Sequence, residues 1–179
     1  TSIRGSVFFN VCSCLRCFET FQFPDIHLSE ENHPRMSENA DLDDVERWGH
    51  FIESLLQSRS GRSHFRKFLM EYEPQHLKNL SFWEACEDYR HDCNREKAQN
   101  IYNRYLMDGC DEEINLISVI NQRLQRGFQS ENFGPSLFDE AQSEALRILE
   151  HKSYADYIKS EHYRILVRRC RRHKCCTLS

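Results

Sequence analysis

The sequence has few of the residues that interrupt regular structure, and it has no long apolar run. Of its 179 residues only four are proline and six are glycine, which excludes collagen-like and low-complexity architectures. No apolar stretch approaches the ~20 residues that a membrane-spanning helix needs. The apolar patch near the N-terminus (VFFNVCSCL) is too short and too interrupted for a signal peptide. These absences leave a globular chain long enough for one domain with short tails.

Charge is distributed unevenly along the chain. The formal net charge is −4, from 24 basic and 28 acidic residues. Residues 164–179 hold six of the basic residues and no carboxylate, which leaves 18 basic against 28 acidic residues, a net charge of −10, in the remainder. A nucleic-acid-binding domain carries positive charge across a folded face, so the acidic body excludes that class. An acidic body with a basic end instead predicts contact with an anionic membrane surface.

The cysteines are a poor disulfide framework because their number is odd. The nine residues fall into three groups of three: Cys12, Cys14 and Cys17; Cys86, Cys93 and Cys110; and Cys170, Cys175 and Cys176. Without a signal peptide, this pattern favours a reducing compartment and therefore a cytoplasmic location. The first group lacks the fourth ligand of a closed zinc site, so we interpret it as a disordered or lipid-modified string. No metal site is predicted.

The order of polar and apolar residues divides the chain into three parts. Residues 1–41 show no sustained period and are predicted to be a disordered, cysteine-containing segment. Residues 42–167 repeat apolar side chains at spacings of three and four, as amphipathic helices do, and no alternation of period two is long enough for a strand. Residues 168–179 form a basic, cysteine-containing tail. The middle part is therefore predicted to be an all-α domain of eight or nine helices, several long enough to pair as a bundle.

Local signals set the expected helix ends. We expect the chain to break at Gly61, and Ser63 to cap the helix that follows. Asn94 is a further expected N-cap. Residues 127–135 are expected to form a loop, because they begin with a glycine and end with a proline.

Motifs for catalysis are mostly absent. The sequence contains no G-x-x-x-x-G-K-[ST] phosphate loop, no H-E-x-x-H and no G-x-S-x-G. A cysteine–histidine enzyme built on His91 and Cys93 is an alternative, but helical spacing favours a solvated polar face beside core cysteines, with Cys93 buried. His64, His76 and His151 lie among polar neighbours near helix ends and are interpreted as surface histidines. The sequence therefore favours a binding protein over an enzyme, and it predicts no cofactor.

Three segments resemble the regulator of G-protein signalling (RGS) domain. They are residues 81–89 (SFWEACEDY), residues 138–142 (FDEAQ) and residues 153–160 (SYADYIKS). Their order and spacing match the family from about residue 45 to residue 167, and the sequences VERW and FWEACED are most similar to the subfamily that includes the retinal RGS proteins. The resemblance implies an antiparallel four-helix bundle capped by a smaller subdomain of N- and C-terminal helices.

The resemblance also implies an activity, the acceleration of GTP hydrolysis by heterotrimeric G-protein α subunits. Such an α subunit carries its own catalytic arginine and glutamine. Its partner need only hold the mobile switch segments in their transition-state arrangement, which fits a chain without catalytic groups or cofactor. The activity would terminate G-protein signalling.

Family positions carry over to nine residues of this sequence. Asn115 matches the asparagine that reaches toward the α subunit's catalytic glutamine, a role that suits an amide because it supplies both a donor and an acceptor. Asn79 matches the second contact asparagine. The alternative for both asparagines is local capping of the backbone. The remaining matches to the contact surface are Lys78, Glu113, Ile114, Ile148, Lys152, Ser153 and Asp156.

Three of these positions depart from the family. Lys78 replaces the usual glutamate before the first asparagine. Lys152 and Asp156 reverse the usual aspartate and, four residues on, arginine, so an ion pair worth ~0.2–0.5 kcal/mol is still expected. The family aspartate accepts from a backbone N–H of a switch segment, whereas lysine has no acceptor. Losing that contact costs ~1.5–3 kcal/mol, or roughly 10- to 150-fold in affinity. The alternative function is therefore an RGS-fold adaptor that binds a partner without activating GTP hydrolysis.

The final four residues, 176–179 (CTLS), resemble a C-a-a-X prenylation signal with serine last, which favours a farnesyl group on Cys176. Cys175 is a candidate for palmitoylation, and residues 168–174 supply a basic patch. One lipid chain binds a membrane only marginally, so stable attachment needs a second signal. The expected location is the inner face of the plasma membrane, beside membrane-bound α subunits.

Overall fold

The structure is a computed structural model that describes the backbone of residues 40–177 and the side chains of residues 40–173. Within this range the chain forms nine α-helices and one π-helical turn, and no strand. The helices are α1 (Leu42–Trp48), α2 (Ile52–Gln57), α3 (Arg59–Tyr72), α4 (Pro74–His91), α5 (Arg95–Tyr105), α6 (Ser118–Gln129), α7 (Asp139–Leu149), α8 (Ala155–Lys159) and α9 (Glu161–Thr177), with the π turn (Glu150–Tyr154) between α7 and α8. The prediction of an all-α domain is confirmed.

Side-chain caps begin four of the helices. In each, a side-chain oxygen accepts a hydrogen bond from the backbone N–H three residues later, at Asp41 for α1 (2.7 Å), Ser58 for α3 (3.2 Å), Asn94 for α5 (2.9 Å) and Ser160 for α9 (3.2 Å). Such a bond satisfies one of the N–H groups that a helix start leaves unpaired. Pro74 occupies the first position of α4, where its missing N–H breaks no helical hydrogen bond. The predicted cap at Asn94 is confirmed.

Two expected breaks are wrong. Helix α3 starts before Gly61, so this glycine lies in the first turn, and Ser58 rather than Ser63 is the cap. Helix α6 continues through Gly127, so the expected loop begins only after residue 129. A glycine inside a helix costs only about 1 kcal/mol relative to alanine, and the packing of the surrounding helices outweighs that cost at both positions.

Two apolar cores organise the helices. The first, which we call the bundle core, is formed by α4, α5, α6 and α7, and it includes the rings of Tyr89 and Phe138, whose centroids lie 5.1 Å apart. The second, the terminal core, is formed by α1, α2, α3, α8 and α9, and it includes Trp48 and Phe65. The two cores correspond to the four-helix bundle and the smaller subdomain of terminal helices that the family resemblance implied.

Helix α4 links the two cores. Its Leu80 side chain packs in the terminal core, whereas Phe82, two residues later, packs in the bundle core. Residues two positions apart lie on different sides of a helix, so α4 contacts both groups of helices along its length. Any site that gathers around α4 is therefore fixed relative to both cores.

Tyr157 packs in the terminal core between the rings of Phe65 (5.2 Å) and Phe68 (5.4 Å). Its side chain is fully buried, and its hydroxyl has no hydrogen-bond partner among the described residues. Burial raises the pKa of this phenol. A buried hydroxyl without a partner loses its hydration without compensation.

We therefore expect Tyr157→Phe to raise the free energy of unfolding by about 1 kcal/mol. Tyr154→Phe is the matched control, because the Tyr154 hydroxyl donates to the Trp48 carbonyl at 2.8 Å. The control should lower the free energy of unfolding by about 1 kcal/mol. Urea unfolding of both variants measures the two effects, and equal losses in the two proteins would contradict the assignment.

Candidate functional site

The predicted contact residues lie on three segments around the start of α4. Their positions are α4 for Lys78 and Asn79, the loop after α5 for Glu113, Ile114 and Asn115, the end of α7 for Ile148, the π turn for Lys152 and Ser153, and α8 for Asp156. Asn115, Lys152 and Asp156 are exposed, whereas Asn79, Ile114 and Ser153 are buried. Lys78, Glu113 and Ile148 are partly exposed. Side-chain contacts join the three segments, as described next.

Lys78 connects α4 to the loop after α5. Its ammonium group donates to the carbonyl oxygen of Glu113, 35 residues later in the chain. A glutamate at this position has no proton to donate to a carbonyl at neutral pH, so the lysine makes a contact that the usual family residue cannot. This departure from the family is therefore accounted for by a bond inside the domain.

Ile114 and Glu113 both anchor the loop that carries Asn115. The Ile114 N–H donates to the Tyr105 carbonyl at 2.9 Å, and the Ile114 side chain is buried in the bundle core. The Glu113 carboxylate accepts from the Gly109 N–H at 2.9 Å. Gly109 has a φ of +79°, a conformation that glycine adopts without strain. The loop therefore holds Asn115 exposed on an ordered backbone.

Neither contact asparagine caps a helix. Asn79 lies within α4, and Asn115 precedes Ile117, the N-cap residue of α6. Neither side chain hydrogen-bonds to another residue in the described part of the chain, although Asn79 is only 4% exposed. A nearly buried amide without an internal partner is uncommon. The alternative that both asparagines act as local caps is therefore wrong, and both amides are free to meet a partner molecule.

Three polar side chains connect the first turn of α4 to the π turn. His76 Nδ1 lies 2.8 Å from Glu73 Oε2 and 2.8 Å from Ser153 Oγ, and Ser153 Oγ lies 2.6 Å from Glu73 Oε2. Ser153 is fully buried, and the side chains of His76 and Glu73 are 21% and 14% exposed. We call Glu73, His76 and Ser153 the junction cluster. With the Lys78 bond, it brings all three predicted segments together.

The junction cluster is not a nucleophilic relay. In a serine–histidine–acid triad the two ring nitrogens divide the work, one facing the hydroxyl and the other the carboxylate. Here the same nitrogen, His76 Nδ1, contacts both the hydroxyl and the carboxylate. This nitrogen cannot accept the serine proton while it donates its own to the carboxylate. The cluster therefore has a structural geometry.

The expected ion pair between Lys152 and Asp156 is not formed. Both side chains are exposed, and neither makes an ion pair with a residue in the range 40–173. Lys152 lies in the π turn, whose bonds span five residues instead of four. The wider turn changes the offset that brings residues four apart together in an α-helix. Lys152 therefore presents an exposed cation without an ion-pair partner among the described residues.

The cysteine–histidine alternative also loses its geometric basis. Helix α4 ends at His91, so Cys93 lies beyond the helix and is exposed, not buried as predicted. Cys86 is buried, and this burial raises the pKa of its thiol, which keeps it protonated and unreactive. No group of three or more His, Cys, Asp or Glu side chains in the described range is arranged to hold a metal ion.

Two of the three histidines interpreted as surface residues are partly buried, and only His151 is exposed. His64 packs beside the rings of Trp48 and His162, and burial lowers its pKa. His76 belongs to the junction cluster, which sequence reasoning missed. The spacing Glu-x-x-His of residues 73–76 was a signal for that contact, but nothing in the sequence points to Ser153 as the third member.

The C-terminal basic segment continues α9, which extends without interruption to Thr177. Arg164 and Arg168 pair with Glu161, and Arg171 pairs with Glu46. The other two arginines of the segment, 169 and 172, are exposed and make no ion pair with a residue in the described range. No described helix is long and apolar enough to cross a membrane.

The cysteine predictions at both ends fall outside what the structure describes. Cys12, Cys14 and Cys17 lie outside the described residues, and the side chains of Cys175 and Cys176 lie outside the described side chains. Lipidation at these positions stays a prediction, as does the division of the chain into three parts.

Comparison with known proteins assigns most of the chain to one family. The family described as "Regulator of G protein signaling domain" matches residues 51–166. The chain is 31% identical over 153 residues to "Regulator of G-protein signaling rgs-3" of Caenorhabditis elegans, which covers 83% of this chain and 42% of that protein. It is 32% identical over 130 residues to "Regulator of G-protein signaling 19" of Rattus norvegicus, covering 70% and 58%.

A third relative is similar in length. The chain is 28% identical over 146 residues to "Regulator of G-protein signaling 13" of Mus musculus, which covers 79% of this chain and 89% of that protein. The chain thus spans roughly half the length of the first two relatives and most of the third. What the longer relatives do outside the shared region does not transfer to this chain.

Proposed function

Because the chain belongs to the regulator of G-protein signalling domain family, we propose that it accelerates GTP hydrolysis by a heterotrimeric G-protein α subunit. The chain supplies no catalytic group. It binds the α subunit's switch segments more tightly in the transition-state arrangement than in the resting GTP state, which lowers the barrier by differential binding. It thereby terminates signalling.

One observation carries the proposal: Asn79 and Asn115 make no side-chain hydrogen bond to another described residue, on segments that α4 holds together. Lys78 ties α4 to the loop of Asn115, and the junction cluster ties α4 to the π turn. Preorganised amides aimed at a partner need no reorganisation when the transition state forms.

Single-turnover GTP hydrolysis by a panel of α subunits tests the proposal. We expect the wild-type chain to accelerate at least one member, and Asn115→Ala to reduce that acceleration about 3- to 10-fold, the value of one hydrogen bond lost. Asn100→Ala is the matched control, because Asn100 is an exposed asparagine on α5 that makes no hydrogen bond to another described residue. The control should keep the wild-type rate. No acceleration of any α subunit would contradict the proposal.

An adaptor that binds an α subunit or another partner without activating hydrolysis is the second candidate. The exposed Lys152 favours it, because this position offers no hydrogen-bond acceptor to a switch segment. Lys78 no longer favours it, because its ammonium group bonds within the domain. Binding of an α subunit without a change in its hydrolysis rate would support the adaptor.

We also propose that the basic segment attaches the domain to an anionic membrane surface at the cytoplasmic face of the plasma membrane. Arg169 and Arg172, exposed on α9 without ion-pair partners in the described range, contribute about 1 kcal/mol each beside an anionic leaflet. Lipids on Cys176 and Cys175 would supply the remaining affinity, since a basic patch and one chain together give stable binding.

Sedimentation with phosphatidylserine-containing vesicles tests the contribution of charge. In unlipidated protein at physiological salt, the double variant Arg169→Glu, Arg172→Glu should bind roughly 30-fold more weakly or worse. The control is Arg59→Glu, Lys67→Glu, which makes the same charge change at two exposed positions of α3. Equal losses in both variants would contradict a specific role for α9. Mass spectrometry of the C-terminal peptide from cells tests lipidation of Cys176 and Cys175.

A further inference from the structure

The protons of the junction cluster can be assigned from its three distances. Glu73 is an acceptor when ionised, so the two hydrogens available are those of the Ser153 hydroxyl and of the His76 ring. The hydroxyl donates to Glu73 Oε2 at 2.6 Å. His76 Nδ1 carries its hydrogen and shares it between the same carboxylate and the hydroxyl oxygen, both at 2.8 Å. An unprotonated Nδ1 would direct its lone pair at a carboxylate oxygen, so this tautomer is the one that the geometry requires.

Among the described residues, the hydrogen bonds between the start of α4 and the π turn are those of the junction cluster, beside the apolar packing of Leu77 and Tyr154 in the terminal core. Glu73 is the residue between α3 and α4, and α4 begins without a side-chain cap. The π turn continues α7 directly, since Leu149 before it has helical backbone angles. Ser153 is 77 residues from His76 in the chain. The cluster therefore joins a helix start without a side-chain cap to the distant π turn, and these are the structures adjacent to Asn79 and Lys152.

We propose that His76 is a positioning residue for recognition of the α subunit. Its Nδ1–H bond fixes the first turn of α4 against the π turn, and so fixes the separation between Asn79 and Lys152. His76 acts through these residues and does not itself need to touch the α subunit. The inference rests on the proposed function, because it concerns the surface by which that function is carried out.

The cluster contributes to the shape of this surface more than to the packing of the domain. Ser153 is fully buried, whereas His76 and Glu73 keep part of their exposure, and none of the three adds an apolar side chain to either core. Loss of the His76 bond removes a polar contact and no apolar packing, so it should leave both cores packed while the π turn is held to α4 less tightly. Preformed geometry lowers the ordering cost of binding, so the effect should fall on affinity and not on the rate at saturation.

Three substitutions at His76 test whether a hydrogen-bond donor at the place of Nδ1 is needed, or whether any side chain at this position is enough. The asparagine amide nitrogen lies near the place of Nδ1, whereas the glutamine amide nitrogen lies near the place of Nε2. In GTP hydrolysis by an accelerated α subunit, His76→Ala and His76→Gln should raise KM for the α subunit about 5- to 10-fold, with kcat within about twofold of wild type. His76→Asn should restore the wild-type KM. His91→Ala, at the exposed far end of α4, should leave both constants unchanged.

Several results would overturn the inference. It fails if His76→Ala keeps the wild-type KM, if the asparagine and glutamine variants behave alike, or if kcat falls instead. Nitrogen-15 NMR of the imidazole in the free chain provides an independent measurement, with a protonated, slowly exchanging Nδ1 expected. If the wild-type chain accelerates no α subunit, the proposed function fails and this inference fails with it. A protonated Nδ1 in that case would show that the cluster exists without serving recognition.

Discussion

Replacing Lys152 by aspartate is expected to tighten binding to an α subunit roughly 10- to 150-fold. Lys152 is exposed in the π turn and makes no ion pair with another described residue. The family resemblance implies an aspartate at this position that accepts a backbone N–H of a switch segment. An ammonium group can only donate, so in the complex proposed above that N–H would lose its hydration and gain no partner. The aspartate restores a hydrogen bond to a charged acceptor.

Lys159→Asp is the matched control for Lys152→Asp. Lys159 lies on α8 and is exposed, and its replacement by aspartate makes the same change from cation to anion. Affinity for the α subunit in the nucleotide state that mimics the transition state should rise with the substitution at Lys152 and stay near wild type with that at Lys159. A similar rise in both variants would show a general charge effect on association and would contradict a specific acceptor at position 152.

The same substitution separates the two candidate functions. An activator weakened by the lysine should gain both affinity and hydrolysis rate at low concentration when the acceptor is restored, because the added bond stabilises the transition-state arrangement. An adaptor whose contact surface also differs from an activator at other positions should gain neither affinity nor hydrolysis rate. Lys152→Asp is thus informative even if the wild-type chain accelerates hydrolysis only slightly.

The inward faces of the helices could be predicted from sequence because apolar spacing reports burial directly. Trp48, Phe65 and Tyr89 each lie on an apolar stripe of the sequence, and each is buried. The cap at Asn94 was equally predictable, since asparagine before a helical stripe satisfies an N–H that has no other partner. These signals are local, and they depend on residues within a few positions of one another.

The contacts that assemble the site could not be predicted in this way. Lys78 meets a backbone carbonyl 35 residues away, and His76 meets Ser153 across 77 residues. Neither partner differs in type or spacing from many others in the chain. The π turn has no sequence signature of its own, so the register that separates Lys152 from Asp156 appears only in the structure. Cys93 was misplaced because the cap at Asn94 marks only the start of α5, and no residue marks the end of α4 at His91.

Gly61 and Gly127 were both expected to interrupt helices, yet they lie inside α3 and α6 for different reasons. A Cβ atom added to Gly61 would lie 2.3 Å from the Leu55 carbonyl oxygen and 3.1 Å from its carbon. The backbones of α2 and α3 approach so closely there that only glycine fits. A Cβ atom added to Gly127 would meet only the end of the Leu137 side chain, at 2.7 Å. Sequence cannot distinguish a glycine that packing requires from one that packing tolerates.

We therefore expect alanine to destabilise the domain at Gly61 and to have little effect on its stability at Gly127. Gly61→Ala should lower the free energy of unfolding by about 3 kcal/mol, because a backbone carbonyl cannot rotate away and α2 must move from the terminal core. Gly127→Ala should change it by less than about 1 kcal/mol, since Leu137 can change rotamer and alanine favours the helix. Thermal and urea unfolding of the two variants test this. An equal loss of unfolding free energy in both variants, or no loss in Gly61→Ala, would contradict the close approach of the α2 and α3 backbones at Gly61.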